Sequence, residues 1–282
     1  MLTSPARAEV IELAPSGDWV VSFDDSSCAL HREFGGSENL VLMELRQFRP
    51  GDSYQLVVTT KAYRANRGRI KFALLPDDAP DYESGFGVNS ADGAQGFAFL
   101  GSFKQAADRE IASQLKEDGL PVPLWPLEDQ IARERSITGI LLDEAFSRDL
   151  LLQTGRLDQP MNVMRTCMDD LVGSWGIDVL AHQTLSRAVE PDDLSEWARH
   201  LQQQYPSSML SEGRQAIVWA RVTVGIDGRG AQCAVQSTMN DTEFNEVACN
   251  LLLEHGRWQP ALDAQSQPIV SYWVGSITYE IS

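Results

Sequence analysis

Ile217-Val218-Trp219-Ala220-Arg221-Val222-Thr223-Val224, then Asp227-Gly228, then Gly230-Ala231-Gln232-Cys233-Ala234-Val235-Gln236-Ser237 reads as one β-hairpin. Apolar residues alternate through the first run, and Asp-Gly tolerates the positive φ angles that a tight turn demands. A helix follows from Thr242 to His255. Phe244, Val247, Ala248, Leu251 and Leu252 recur at helical spacing and form a stripe that can lie on the hairpin, while Asn245, Glu246 and Asn250 face water. Asp241 is expected to cap the start of this helix, and Gly256 and Pro260 to stop it. An apolar alternation from Ile269 to Ile281 returns as the last strand. Residues 205–282 thus read as a small α+β domain of hairpin, helix and strand.

Upstream, the chain reads as a β-rich domain over 18–178 with one or two packed helices. Trp19, Val21 and Phe23 alternate, as do Val41, Met43 and Leu45, and then Tyr54, Leu56 and Val58 after the Pro50-Gly51-Asp52 turn. Residues 69–75 and 97–100 add two strands, and Gly85-Phe86-Gly87 between them reads as turn chemistry. Residues 104–118 have helical composition without clear periodicity. Ser136 to Leu142 and Asp149 to Thr154 read as two further strands. Pro160 opens a helix with Met161, Met164, Met168 and Leu171 down one face, ending at Gly173. Residues 179–204 form a polar connection in which Pro191-Asp192-Asp193 opens a helix carrying Leu194, Trp197 and Leu201.

The net charge is -17 over 282 residues. Such an acidic surface repels phosphate backbones and anionic headgroups, which argues against nucleic acid as a partner. No apolar run in this sequence approaches the roughly 20 residues that a membrane-spanning helix requires. Thr3-Ser4-Pro5-Ala6-Arg7-Ala8 before Glu9 resembles the end of a secretory signal, so residues 1–17 read as a residual signal and disordered tail of an exported protein. Four cysteines allow three pairings. Cys233 on the second hairpin strand and Cys249 on the helix packed against it favour one bridge, which leaves Cys28 for Cys167. Free thiols buried as small hydrophobes are the alternative.

His31, His182, His200 and His255 are scattered without metal-ligand spacing, and Asp24-Asp25 and Asp169-Asp170 read as solvated charge. The sequence contains no Gly-x-Ser-x-Gly elbow, phosphate loop or Cys-x-x-Cys. No catalytic, cofactor-binding or metal-binding residue is assigned. The reading is therefore of a protein that is not an enzyme, with a hydrolase assembled from distant residues as the least favoured class.

Tyr205-Pro206, Asp227-Gly228, Ser237-Thr238 and Trp258-Gln259-Pro260-Ala261 stand in the order found in the C-terminal domain of TonB, the periplasmic energy transducer of Gram-negative bacteria. Residues 205–282 resemble that domain. A looser likeness of Trp19, Cys28, the Cys167 helix and Trp175-Gly176 links the upstream region to exported TonB-like proteins. The resemblance implies a periplasmic protein whose last strand is an open sheet edge, to which an extended segment of an outer-membrane transporter, or of another envelope protein, adds by main-chain hydrogen bonds. The positions it marks for peptide binding are Tyr205, Pro206, Ser271, Tyr272, Trp273, Val274, Gly275, Ser276, Ile277 and Thr278. Alternatives are a homodimer through the last strand, and a structural or assembly role for the same fold.

Overall fold

The computed structural model describes residues 10–66, 70–76, 81–83, 86–90, 92–118, 125–192, 197, 205–239 and 241–279. It is an α+β protein rich in strand, as expected. It forms two compact units, Met1–Asp24 with Cys28–Met168, and Asp25–Ser27 with Asp169–Ser282.

The first unit contains β1 (Ile11–Leu13), β2 (Val20–Phe23), β3 (Cys28–Phe34), β4 (Val41–Gln47), β5 (Ser53–Thr60), β6 (Ile70–Leu75), β7 (Asp81–Glu83), β8 (Phe86–Asn89), β9 (Gln95–Ser102), α1 (Ala106–Glu117), α2 (Leu127–Ser136), β10 (Gly139–Asp143) and β11 (Leu150–Leu152). The helix α3 (Asp158–Ser174) follows, and the division between the units falls within it. One sheet has the order β2-β3-β4-β5-β9-β8 and is antiparallel throughout. The other runs β1-β11-β10-β6-β7. Period-two alternation sends Met43, Leu45, Leu56, Val58, Phe97 and Phe99 to one side, where they are buried. Phe99 meets Phe72 of β6 edge-on, with ring centroids 4.9 Å apart, and so joins the two sheets. The methionine face of α3 is buried as expected, and Cys167 beside it is bonded to Cys28 at the start of β3 with Cα atoms 6.2 Å apart.

The second unit contains α4 (Val179–Gln183), β12 (Glu190–Pro191), α5 (Ser207–Ser211), β13 (Ala216–Val224), β14 (Gly230–Met239), α6 (Phe244–His255), β15 (Trp258–Gln259), β16 (Ala261–Leu262), β17 (Pro268–Ile269) and β18 (Ser271–Tyr279). The hairpin β13–β14 and the returning β18 make a sheet of order β14-β13-β18. Ala216, Val218, Ala220, Val222 and Val224 of β13 face α6, where Phe244, Ala248 and Leu252 complete one core. Cys233 and Cys249 are bonded, Cα to Cα 5.5 Å, and tie α6 to β14. Gly228 of the hairpin loop takes φ +73°, and its carbonyl accepts from Trp258 N–H at 3.0 Å. A side chain at Gly228 would strike the Trp258 carbonyl, so glycine is required there on both counts.

Several expectations are corrected. Residues 11–13 are no disordered tail, because Ile11, Glu12 and Leu13 pair in parallel with Leu150, Leu151 and Leu152 and Leu13 is buried. Phe86 and Gly87 are in a strand, held by β9 opposite Ala98 and Phe97; Gly85 lies outside the described residues. The helical composition of 104–118, by contrast, is borne out by α1. Residues 169–178, expected in the upstream domain, and 179–192, expected in the connection, both group with the second unit. Within them α4 is capped by Asp178, and Pro191 pairs with Trp258 instead of opening a helix. The helix expected through Leu194 and Leu201 lies outside the described residues apart from Trp197. Asp241 does not cap α6: its carboxylate accepts from Glu243 N–H and binds Arg214, so it shapes the turn before the helix. The last strand divides at Val270, since Pro268 and Ile269 pair with β16 while Ser271 onward pairs with β13.

Candidate functional site

The sheet of the second unit has two margins, and they differ. On the β14 side, the partners of Trp219 and Ala220 are Ser237 and Val235, so Gln236 is an extra residue that bulges from the ladder. A second bulge leaves Ala231 unmatched between Thr223 and Val224. The Gln236 carbonyl accepts from Ser26 Oγ at 2.9 Å, and the Gln236 side-chain amide donates to the Ser26 carbonyl at 2.9 Å; Ser26 belongs to the three residues 25–27 that group with this unit. Bulges and a side-chain clasp blunt this margin against a further strand.

β18 forms the other margin. All nine of its residues pair with β13, from Ser271 opposite Val224 to Tyr279 opposite Ala216. From Trp273 to Tyr279, no backbone hydrogen bond except those to β13 is found among the described residues. Alternate residues of an antiparallel strand turn their N–H and C=O groups away from the partner, so about three or four residues of this stretch direct them outward. Trp273, Gly275, Ile277 and Tyr279 lie over the core with α6, while Tyr272, Val274, Ser276 and Thr278 lie on the opposite face.

The core side of β18 is aromatic. Trp273 contacts Trp197 and Trp258, with ring centroids 5.5 and 6.2 Å away, and its indole lies across Gly275. A Cβ at Gly275 would stand 2.2 Å from that ring. Glycine thus allows the indole to cover the backbone along the strand.

At the start of β18, Ser271 is buried and its Oγ lies 2.6 Å from His182 Nε2. His182 Nδ1 lies 2.8 Å from the Asp178 carbonyl, which can only accept, so Nδ1 carries the proton and neutral Nε2 accepts from Ser271. Burial holds the His182 pKa below its ordinary value, against the opposing pull of the Asp178 carbonyl and carboxylate. The imidazole stacks on Tyr272, Tyr272 meets Trp175 edge-on, and Arg221 lies 4.5 Å over Trp175. These groups anchor the start of β18, His182 through Ser271 and the aromatic stack through Tyr272 on the face away from α6.

The marked residues fall into two groups. Ser271 to Thr278 form the margin itself. Tyr205 and Pro206 stand at its far end: the Tyr205 ring packs on Phe244 and Tyr279, its hydroxyl donates to the Arg214 carbonyl, and Pro206 precedes α5. Sequence reading missed Trp197, Trp175 and His182 as neighbours of this strand, since no fixed spacing relates them to it. No cluster of His, Cys, Asp and Glu suited to a metal occurs among the described residues. No helix among them is long and apolar enough to cross a membrane. No protein-family model, curated protein or solved structure matches the chain.

Proposed function

We propose that this chain is an exported periplasmic protein that binds an extended peptide, such as the N-terminal segment of an outer-membrane transporter, by strand addition to β18 in TonB-type transport. The observation that carries this reading is the outer margin of Trp273–Tyr279, which has no strand beside it among the described residues. Strand addition requires unsatisfied main-chain donors and acceptors in register, and flanking side chains that receive alternate residues of the guest. Trp273 and Ile277 on one face, and Ser276 and Thr278 on the other, flank that margin. The two disulfides are compatible with an oxidising compartment. The four landmarks shared with TonB C-terminal domains add the class of guest.

The test is a titration of the 15N-labelled full chain with a synthetic peptide carrying the N-terminal segment of an outer-membrane transporter. Strand addition shifts the amide resonances of Trp273–Tyr279 and slows hydrogen exchange of those directed outward. Unchanged resonances in this stretch at millimolar peptide remove the proposal. Shifts that follow protein concentration in the absence of peptide assign the margin to a second copy of the chain instead.

A further inference from the structure

The six-stranded sheet of the first unit carries a second constellation, on three neighbouring strands. Leu30, Met43 and Leu45 face the core, so Ser22 of β2, His31 of β3 and Glu44 of β4 lie on the opposite face. His31 stands directly opposite Glu44 in the ladder, and Ser22 stands opposite Ala29, diagonal to His31. Ser22 Oγ lies 2.9 Å from His31 Nε2, and Glu44 Oε2 lies 3.5 Å from His31 Nδ1. Glu44 is held from its other oxygen by Arg46 Nε at 2.7 Å, and Arg46 also binds Asp24 at 2.8 Å. The His31 and Glu44 side chains keep 25% and 22% of their surface exposed, and Ser22 is half-buried, so the group is accessible.

We propose that Ser22, His31 and Glu44 form a nucleophile, base and orienting acid that hydrolyse uncharged carboxylic esters. The order of contacts is the one acyl transfer requires. Glu44 stands on the Nδ1 side of the ring and the Ser22 hydroxyl on the Nε2 side; in the tautomer protonated at Nδ1, the Nε2 lone pair faces that hydroxyl. Arg46 holds the Glu44 carboxylate by its other oxygen, which leaves Oε2 toward the ring. β2 ends the sheet order, and no backbone hydrogen bond is made on its outer side by Val20–Phe23 among the described residues. Alternate N–H groups there point outward, at Ser22 or at the residues beside it, where a developing oxyanion needs donors.

The substrate class follows from the surroundings. Val20 shares the face of Ser22 two residues away and is 60% exposed, so it offers an apolar seat for an acyl group. The adjacent cation, Arg46, is engaged by two carboxylates, and the net charge of -17 disfavours anionic substrates.

In the first half-reaction, Ser22 Oγ bonds to the ester carbonyl carbon and its proton passes to His31 Nε2, while the carbonyl π pair moves onto oxygen. That pair re-forms the carbonyl, the ester C–O bond breaks, and the alcohol leaves with the proton from His31. Water then attacks the acyl-serine, giving one proton to His31. The Ser22 Oγ–C bond breaks, Ser22 recovers that proton, and the carboxylic acid is released. The sum is ester and water to acid and alcohol.

The test uses the full chain with p-nitrophenyl acetate, following p-nitrophenolate by absorbance and the acetyl group by mass spectrometry of the peptide containing Ser22. The expected result is an early burst with acetylation at Ser22, loss of both in Ser22→Ala, and a fall of about 10²-fold in His31→Asn. Glu44→Gln lowers kcat and leaves KM in place, because Glu44 orients the base and does not touch the ester, and Glu44→Asp restores part of the rate; an unchanged kcat in Glu44→Gln removes Glu44 from the proposal. A fluorophosphonate probe labels Ser22 in the parent chain. Hydrolysis unchanged by Ser22→Ala, or acyl and phosphonyl groups found only on other residues, overturns the proposal. The peptide titration at β18 reads a different unit and is independent of either outcome.

Discussion

Removing the Cys233–Cys249 bridge by the double substitution Cys233→Ala/Cys249→Ala tests whether α6 is held on the hairpin by that bond. The two positions are 16 residues apart in sequence. In the chain-entropy account a loop of this size releases about 3 kcal/mol of restraint on the unfolded chain when opened. The Cys28–Cys167 bridge closes a separation of 139 residues, and the same relation gives about 5 kcal/mol. For a unit of this size an unfolding slope near 1–3 kcal/mol per molar urea converts the smaller figure into a midpoint shift of about 1–3 M. Urea melts give the shift, and hydrogen exchange read peptide by peptide assigns it. Faster exchange is expected in β13, β14 and α6, with β3 to β5 unchanged. The Cys28→Ala/Cys167→Ala variant gives the reverse pattern. A second unit that melts within about 0.5 kcal/mol of the parent without its bridge would refute the reasoning, since that is the scatter of substitutions touching nothing.

Other expectations follow from single contacts. Gly256→Ala places a Cβ 2.3 Å from the Leu252 carbonyl and 2.2 Å from the Trp258 ring, so a loss of about 1–3 kcal/mol by urea melt, with altered tryptophan emission, is expected. Arg165→Ala strips the buried Glu134 of its bidentate partner, at 2.7 and 3.0 Å, and is expected to cost about 3–5 kcal/mol at pH 7. Burial already raises the Glu134 pKa above 4.5, so this group favours folding in acid and that contribution is lost as pH rises through the raised value; the Arg165→Ala deficit should shrink as melts are repeated toward pH 4.5. His182 runs the other way. Its pKa is held below 6.5, so the stability it lends is present above that value and is lost as pH falls through the depressed one; the amides of Ser271 and Tyr272 should shift with that titration, and Ser271→Ala should weaken the coupling.

Much of the second unit was legible because its signals are periodic and local. Alternation in β13, helical spacing from Phe244 to Leu252 and a glycine at the turn each fix an element within a few residues, and the cysteine placements follow from them. What escaped depends on partners far away in sequence. Ile11–Leu13 is a strand because β11 lies about 140 residues on, and three residues carry little pattern of their own. Pro191 looks like a helix opener, yet Trp258 claims it as a pairing partner. Asp241 has the chemistry of a cap, and Arg214 and Glu243 take its oxygens instead. The margin at β18 was readable as a strand, but its surroundings were not: Trp197, His182 and Trp175 reach it from separate segments. Ser22, His31 and Glu44 carry no spacing signature because antiparallel pairing, not sequence distance, aligns them.

The bulge at Gln236, clasped by Ser26, has a bearing on stoichiometry. A sheet receptive on both flanks propagates, each recruited strand exposing a fresh flank, and the end state is a filament. With one flank sealed by its own loop, strand addition to this sheet would admit a single guest and stop. If the guest is another copy, the union must be two-fold and self-terminating. Ser26, more than 200 residues away in sequence from the strand it seals, would then determine whether crowding yields a discrete complex or a fibre.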